Sequence, residues 1–259
     1  VQVDRIDELV YEMENGLNKN GNKVKWTDNK AEELDRLVEK KNAKPTLSAG
    51  AKTYLKKLFK EITFNRTQEL KSKYLDKGII CEKHSFEVIR NLHKKDYQKN
   101  EIRFENDYFT GEPDCIFGNE VIDLKSSWDY TTFPMLDEEL ENKNYYWQVL
   151  AYMDLLPNVE RGKVIYVLND TPDEIIYDEK RRVSWQLGLI NEDLKFDLPE
   201  DLEFEIERNL LYSDIPENAR VKEFEVIKDD ADIKMMHEMI KLSRNFLSEL
   251  SQNMQNIFK

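Results

Sequence analysis

Residues 109–128 read Phe-Thr-Gly-Glu-Pro-Asp-Cys-Ile-Phe-Gly-Asn-Glu-Val-Ile-Asp-Leu-Lys-Ser-Ser-Trp. Two short apolar runs, Cys115 to Phe117 and Val121 to Leu124, flank a Gly118-Asn119 pair, the pattern of a tight β-hairpin. Asp123 and Lys125 stand two apart and therefore share one face of their strand. Across the hairpin, Asp114 is expected beside Asp123. Two carboxylates and an ammonium would then converge, and like charges that close call for a divalent cation. The plainer alternative is a surface hairpin with an exposed Asp–Lys pair.

Working outward, Gly78 to His93 has helical spacing, with Ile79, Phe86, Ile89 and Leu92 on one face. Glu82 falls in the middle of that stripe. A buried carboxylate there needs a metal or a partner; the alternative is a rim position or a lysine pair. His93 shares the face and is open to a metal or a structural role. His84 and His237 show no partner pattern. Ile102 to Phe109 is expected to be a strand. Beyond the hairpin, a loop passes Pro134 and reaches Asn144, and Tyr145 to Leu156 reads as a helix. Gln148 and Tyr152 share its face, with Tyr145 beneath them. Lys163 to Leu168 is a β-branched run, a core strand. Strand, helix, strand predicts a crossover that sets a parallel strand beside the hairpin.

Pro113-Asp114 followed by Asp123-Leu124-Lys125 resembles the PD-(D/E)xK nuclease signature. Gly78-x-x-x-Glu82 resembles the first motif of its RecB-like and lambda-exonuclease-like (YqaJ-type) branch, and Gln148-x-x-x-Tyr152 the motif that follows the lysine there. The order matches the phage exonuclease branch. The resemblance implies an α/β fold with a restriction-endonuclease-like core: a helix, a mixed sheet with the hairpin, a crossover helix and a strand, with helical additions at both ends. It covers about 78–170, leaving a helical region at 1–77 and a helix-and-strand extension at 171–259 packed on the core.

The resemblance further implies a metal-dependent DNA exonuclease in phage or prophage DNA recombination. The alternatives are an endonuclease of the same fold, branched-structure or site-specific, and a catalytically silent DNA-binding module. One or two Mg²⁺ or Mn²⁺ ions would be held by Asp114, Asp123, Glu82 and the Leu124 carbonyl, all hard oxygen donors. Lys125 would position or deprotonate the attacking water. Gln148 and Tyr152 would contact DNA or brace the lysine, and Ser126 and Ser127 could donate to a phosphate. The expected partners are DNA, a single-strand annealing protein and further copies of the chain.

The 259 residues carry a net charge of −13, yet the first 100 hold 22 Lys and Arg against 16 Asp and Glu. Lys40 to Lys77 is the most basic segment, and Lys52, Lys56 and Lys60 repeat every fourth position on an expected helix after Ser48. That row is either a solvated face or a set of phosphate contacts. Earlier helices are expected over Val1 to Asn15 and from Thr27 or Asp28 to Val38. Later helices are expected over Asp173 to Trp185, Leu202 to Leu211 and Asp229 to Leu250, with a strand over Arg220 to Ile227. The 2 cysteines, Cys81 and Cys115, are too few for a disulfide framework or an iron–sulfur cluster and suggest a reducing cytoplasm, which the resemblance would make that of a phage-bearing bacterial host cell. Val1 to Val10, with Asp4, Asp7 and Glu8, does not read as a signal or transit peptide, and no apolar run reaches membrane-spanning length.

Overall fold

The structure is a computed structural model that describes residues 2–42, 44–67, 73–189 and 198–255. It divides into two units, residues 1–59 with 241–259, and residues 60–240.

In the first unit, α1 (Gln2–Asn15) and α2 (Asp28–Asn42) bury Ile6, Leu9 and Leu34 against each other. Arg5 bridges them through Glu33 at 3.0 Å, and Lys30 reaches Glu12 at 2.6 Å. The helix α3 (Ala49–Phe64) begins where the Ser48 hydroxyl accepts the Ala51 N–H at 3.1 Å, an N-cap bond.

The second unit is built on a four-stranded sheet. Its strands are β3 (Cys115–Phe117), β4 (Glu120–Ser126), β5 (Arg161–Val167) and β6 (Val221–Ile227), in spatial order β3-β4-β5-β6. The β3–β4 hairpin forms as expected, with Cys115 opposite Ile122 and Phe117 opposite Glu120. Gly118 has φ +63°, and Asn119 is not in the positive-φ region. That is the pattern of a type II′ turn, which glycine at its first central position permits. The crossover helix α5 (Lys143–Leu155) starts at Asn142, whose side chain accepts the Asn144 N–H, and returns the chain to β5 parallel to β4.

Both sheet faces are covered. Val121, Val164 and Phe224 pack under α5 with Val149, Leu150 and Met153. Ile122, Ile165 and Val167 pack under α4 (Lys73–His93) with Phe86, Val88 and Ile89. Consecutive residues of β4 therefore feed opposite cores, which is why Val121 to Leu124 is continuously apolar apart from Asp123. At Gly162 a Cβ would stand 2.2 Å from Val149 Cγ1 and 2.6 Å from Met153 Cε, so α5 rests directly on the β5 backbone.

Helices α6 (Asp173–Leu187), α7 (Glu200–Leu210) and α8 (Asp230–Gln255) appear as the periodicity predicts. The expected strand over Ile102 to Phe109 does not. Only β1 (Phe104–Glu105) forms, paired with β2 (Thr110–Gly111). The cause is Asn106, whose side-chain oxygen accepts the N–H groups of Tyr108 (2.9 Å) and Phe109 (2.8 Å) and turns the chain. Among the described residues, no helix is long and apolar enough to cross a membrane.

Candidate active site

The hairpin register places Asp114 one step beyond the Cys115–Ile122 pair, and so opposite Asp123. Asp114 fixes its carboxylate by accepting the Leu124 N–H at 2.6 Å. Asp123 is 1% exposed, with Lys125 Nζ 2.8 Å from its Oδ2 but, among the described residues, no hydrogen-bond donor aligned to that oxygen. Burial and the neighbouring Asp123 charge push the Asp114 carboxyl up to about 6, against the Leu124 N–H and Lys125, which pull it down. Burial also raises Asp123, with Lys125 opposing. For Lys125 burial favours the neutral amine, but Asp123 and Asp114 outweigh it and hold the ammonium above its ordinary value.

Lys125 is held from three sides. Beyond Asp123, its Nζ reaches Gln148 Oε1 at 3.3 Å and lies 4.5 Å from the centre of the Tyr145 ring, a cation–π contact. Gln148 is oriented in turn by Tyr152, whose hydroxyl accepts the amide Nε2 at 2.8 Å. The Tyr152 ring lies against β2, where a Cβ on Gly111 would come within 2.8 Å of it. A chain of hydrogen bonds thus runs from Lys125 through Gln148 to Tyr152. Tyr145, expected only to lie beneath the pair, is the lysine's aromatic support.

Asp114, Asp123, Lys125, Tyr145 and Gln148 line a cleft of about 710 Å³, with Glu82, Leu124, Ser126 and Ser127 also on its lining. Of the two places expected for Glu82, the structure shows the rim position with a lysine pair. The buried face of α4 carries Lys77, Cys81, Ser85, Phe86, Val88 and Ile89, while Ile79 is 72% exposed. Glu82 therefore sits beside the buried stripe and pairs with Lys99 at 2.6 Å. Its charge still adds to the rise at Asp114. Among the described residues, no three His, Cys, Asp or Glu side chains gather as a ready metal cage.

The serines differ. Ser126 accepts from Asn169 Nδ2 at 3.1 Å, in a network in which the same amide bonds Ser85 at 2.7 Å. Ser127 is buried, its hydroxyl without a partner among the described residues. Two histidines without a partner pattern in the sequence have partners in space. His84 meets Asn169 Oδ1 at 2.8 Å; His237 meets Asp154 at 2.9 Å and stacks on Tyr108 with ring centres 3.7 Å apart. His93 is structural, contacting Glu223 at 2.5 Å and the Tyr97 hydroxyl at 3.0 Å.

The basic segment is partly spent inside the fold. Lys73 pairs with Glu179, and Lys77 is 1% exposed. The Lys77 ammonium bonds the carbonyls of Trp128 (2.7 Å) and Asn169 (3.1 Å) and the Thr171 hydroxyl (2.9 Å). Three acceptors match its three N–H donors. Burial lowers it to about 8, which leaves it charged at neutral pH. Nothing local in the sequence distinguishes this lysine from a surface one. Lys52, Lys56 and Lys60 do lie exposed along α3, outside the residues that line the cleft.

The raised carboxyl has a measurable consequence in metal-free protein. Asp114 binds a proton more tightly folded than unfolded, so this contribution favours folding most at low pH. It is lost as pH rises from about 4 through about 6. In EDTA at pH 7.5, Asp114→Asn is expected to be more stable than wild type by on the order of 2 kcal/mol. The asparagine still accepts the Leu124 N–H but carries no charge. Urea melts at pH 4 and pH 7.5 check this; equal stability of the two proteins at both pH values contradicts it.

Comparison with known proteins adds the fold's relatives. No protein-family model and no curated protein matches the sequence. Among solved structures, a phage-related exonuclease from Haemophilus somnus 129PT aligns with 84% of this chain and 88% of its own, at 23% identity and a TM-score of 0.64. An alkaline exonuclease from Laribacter hongkongensis, LHK-Exo, aligns with 82% of this chain and 86% of its own, at 12% identity and a TM-score of 0.52. Likeness at such identities is likeness of fold, and the chain accordingly has the restriction-endonuclease-like α/β fold of these two exonucleases.

Proposed function

We propose that the chain is a metal-dependent DNA exonuclease. The observation that carries this is the convergence of Asp114, Asp123 and Lys125 in one cleft, on a fold like that of two exonucleases. The donor set suits Mg²⁺ or Mn²⁺. Two carboxylates stand side by side, both shifted toward the neutral acid by burial, with one Asp123 oxygen lacking an aligned donor. Asp114 and Asp123 would hold the ion, with the Leu124 carbonyl beside them and Glu82 once it leaves Lys99. When bound, the cation supplies charge relief at the phosphate.

The chain's own residues do the rest. Lys125, braced by Asp123, Gln148 and Tyr145, would hold the attacking water or a phosphate oxygen in place. Gln148, Tyr145 and Tyr152 keep the ammonium aimed into the cleft. Lys52, Lys56 and Lys60 supply exposed positive charge for the DNA backbone. A role in phage DNA recombination beside a single-strand annealing protein, in a homo-oligomer and in the host cytoplasm, belongs to the same reading.

End-labelled linear duplex and covalently closed circular DNA, each incubated with Mg²⁺ or Mn²⁺, test it. Nucleotides are expected to be released from linear DNA only, with EDTA stopping the reaction. Nicking of the circle would instead make the protein an endonuclease. Intact DNA of every form, single strands included, would remove the hydrolytic reading and leave a silent binding module.

A further inference from the structure

Glu82, Asp114 and Asp123 all line the cleft, and each is held differently. Asp114 accepts the Leu124 N–H, and Asp123 faces Lys125, both in the interior. Glu82 is held from outside by Lys99, whose Nζ stands 2.6 Å from its Oε2. Lys99 is not among the residues that line the cleft, and its side chain is 48% exposed. Its backbone, by contrast, is stitched to the segment that carries Asp114. Lys99 bridges to Cys115, and at the next residue the Asn100 N–H donates to the Asp114 carbonyl at 2.8 Å. The Asn100 side-chain amide adds a bond to the Pro113 carbonyl at 2.9 Å. The ammonium therefore reaches over the rim of the cleft from a fixed base.

Resting on the metal-dependent nuclease reading, we propose that Lys99 is a displaceable lock on Glu82, holding that carboxylate in the metal-free protein and competing with the divalent cation for it. Three carboxylates in one cleft repel one another unless positive charge joins them. Two ammonium groups supply it here, and they differ in tenacity. Lys125 is braced by Asp123, Gln148 and Tyr145 and stays. Lys99 holds Glu82 through a half-exposed ion pair on a flexible stem, a contact that water and a stronger cation readily replace. Because its backbone is fixed beside Asp114, the displaced ammonium remains near and goes on competing. The site is thereby tuned to bind its cation less tightly than the carboxylates alone would, and Glu82 returns to the lysine when the cation leaves.

Calorimetric titration of Mn²⁺ into the DNA-free protein tests the lock. Lys99→Gln is expected to bind Mn²⁺ about 2- to 5-fold more tightly than wild type, the range over which an exposed ion pair can compete. Lys99→Arg keeps the pair and should bind as wild type. In a Glu82→Gln background, Lys99→Gln should change nothing, because the lock has no carboxylate to hold. Equal tightening with and without Glu82 would mean that Lys99 acts only through its field on the aspartates, and overturns the lock. Unchanged affinity in Lys99→Gln overturns it too, as does failure of every variant to bind Mn²⁺. DNA digestion by the wild type is scored separately. The contrast without digestion keeps the lock and removes the nuclease, and digestion without the contrast does the reverse.

Discussion

Lys125→Ala is expected to lower kcat for DNA hydrolysis about 10²- to 10⁴-fold while leaving the affinity for DNA within a few-fold of wild type. A factor of 10³ corresponds to about 4 kcal/mol of lost transition-state stabilisation. The size of the effect follows from how completely this ammonium is committed to one place. Asp123 lies 2.8 Å away, Gln148 3.3 Å, and the Tyr145 ring centre 4.5 Å. Such bracing makes sense for a group whose position matters, and alanine removes the whole interaction. Lys125→Arg should not rescue, because a planar fork cannot replace a point charge in a space this closely bounded. Gel assays of cleavage with Mn²⁺, paired with anisotropy for binding, provide the check. A Lys125→Ala protein that keeps more than about a tenth of wild-type kcat would show that the lysine is not part of the chemistry.

The second large effect concerns stability. Gly162→Ala is expected to destabilise the fold by about 3 kcal/mol, at the upper end of overpacking changes. The added methyl would stand 2.2 Å from Val149 Cγ1 and 2.6 Å from Met153 Cε, both on α5. Met153 can swing aside, but Val149 is β-branched and held in a single rotamer on its helix. The helix itself must therefore lift from β5. Since α5 carries Tyr145, Gln148 and Tyr152, the same change should reduce activity under conditions where the protein is still folded. Adding Val149→Ala should recover part of the loss by removing the clash. Urea denaturation of the single and double variants measures both; a Gly162→Ala midpoint equal to that of wild type would mean that the helix does not rest where the structure puts it.

The parts of the fold legible in the sequence are those decided by neighbours in the chain. The Gly118-Asn119 turn fixes the β3–β4 register, and the register alone brings Asp114 opposite Asp123. Alternation then carries Lys125 to the same face. The apolar run of β5 and the spacing of Gln148 and Tyr152 are equally local. What the sequence obscured depends on partners far along the chain. Glu82 read as the centre of a buried stripe because Ile79 counted as core, whereas the buried positions of α4 include Lys77 and Ser85. Those polar residues are tolerable there only because Asn169, Thr171 and Trp128, some 50 to 90 positions away, complete their hydrogen bonds. The strand expected before the hairpin was lost to a single asparagine side chain. Composition misled about Lys73 and Lys77 as well, since charge counting cannot tell a surface cation from one already paired within the fold.

The Lys77 ammonium fastens helix α4 to the chain at Trp128 and again at Asn169 and Thr171. Three segments distant in sequence are thus knotted at a single nitrogen, and none can peel away without stranding acceptors in the interior. Helix α4 and the sheet should then come apart together rather than in stages. While the knot holds, that amine is shielded from acylating reagents that label surface lysines, so its modification would serve as an internal clock for whole-molecule opening.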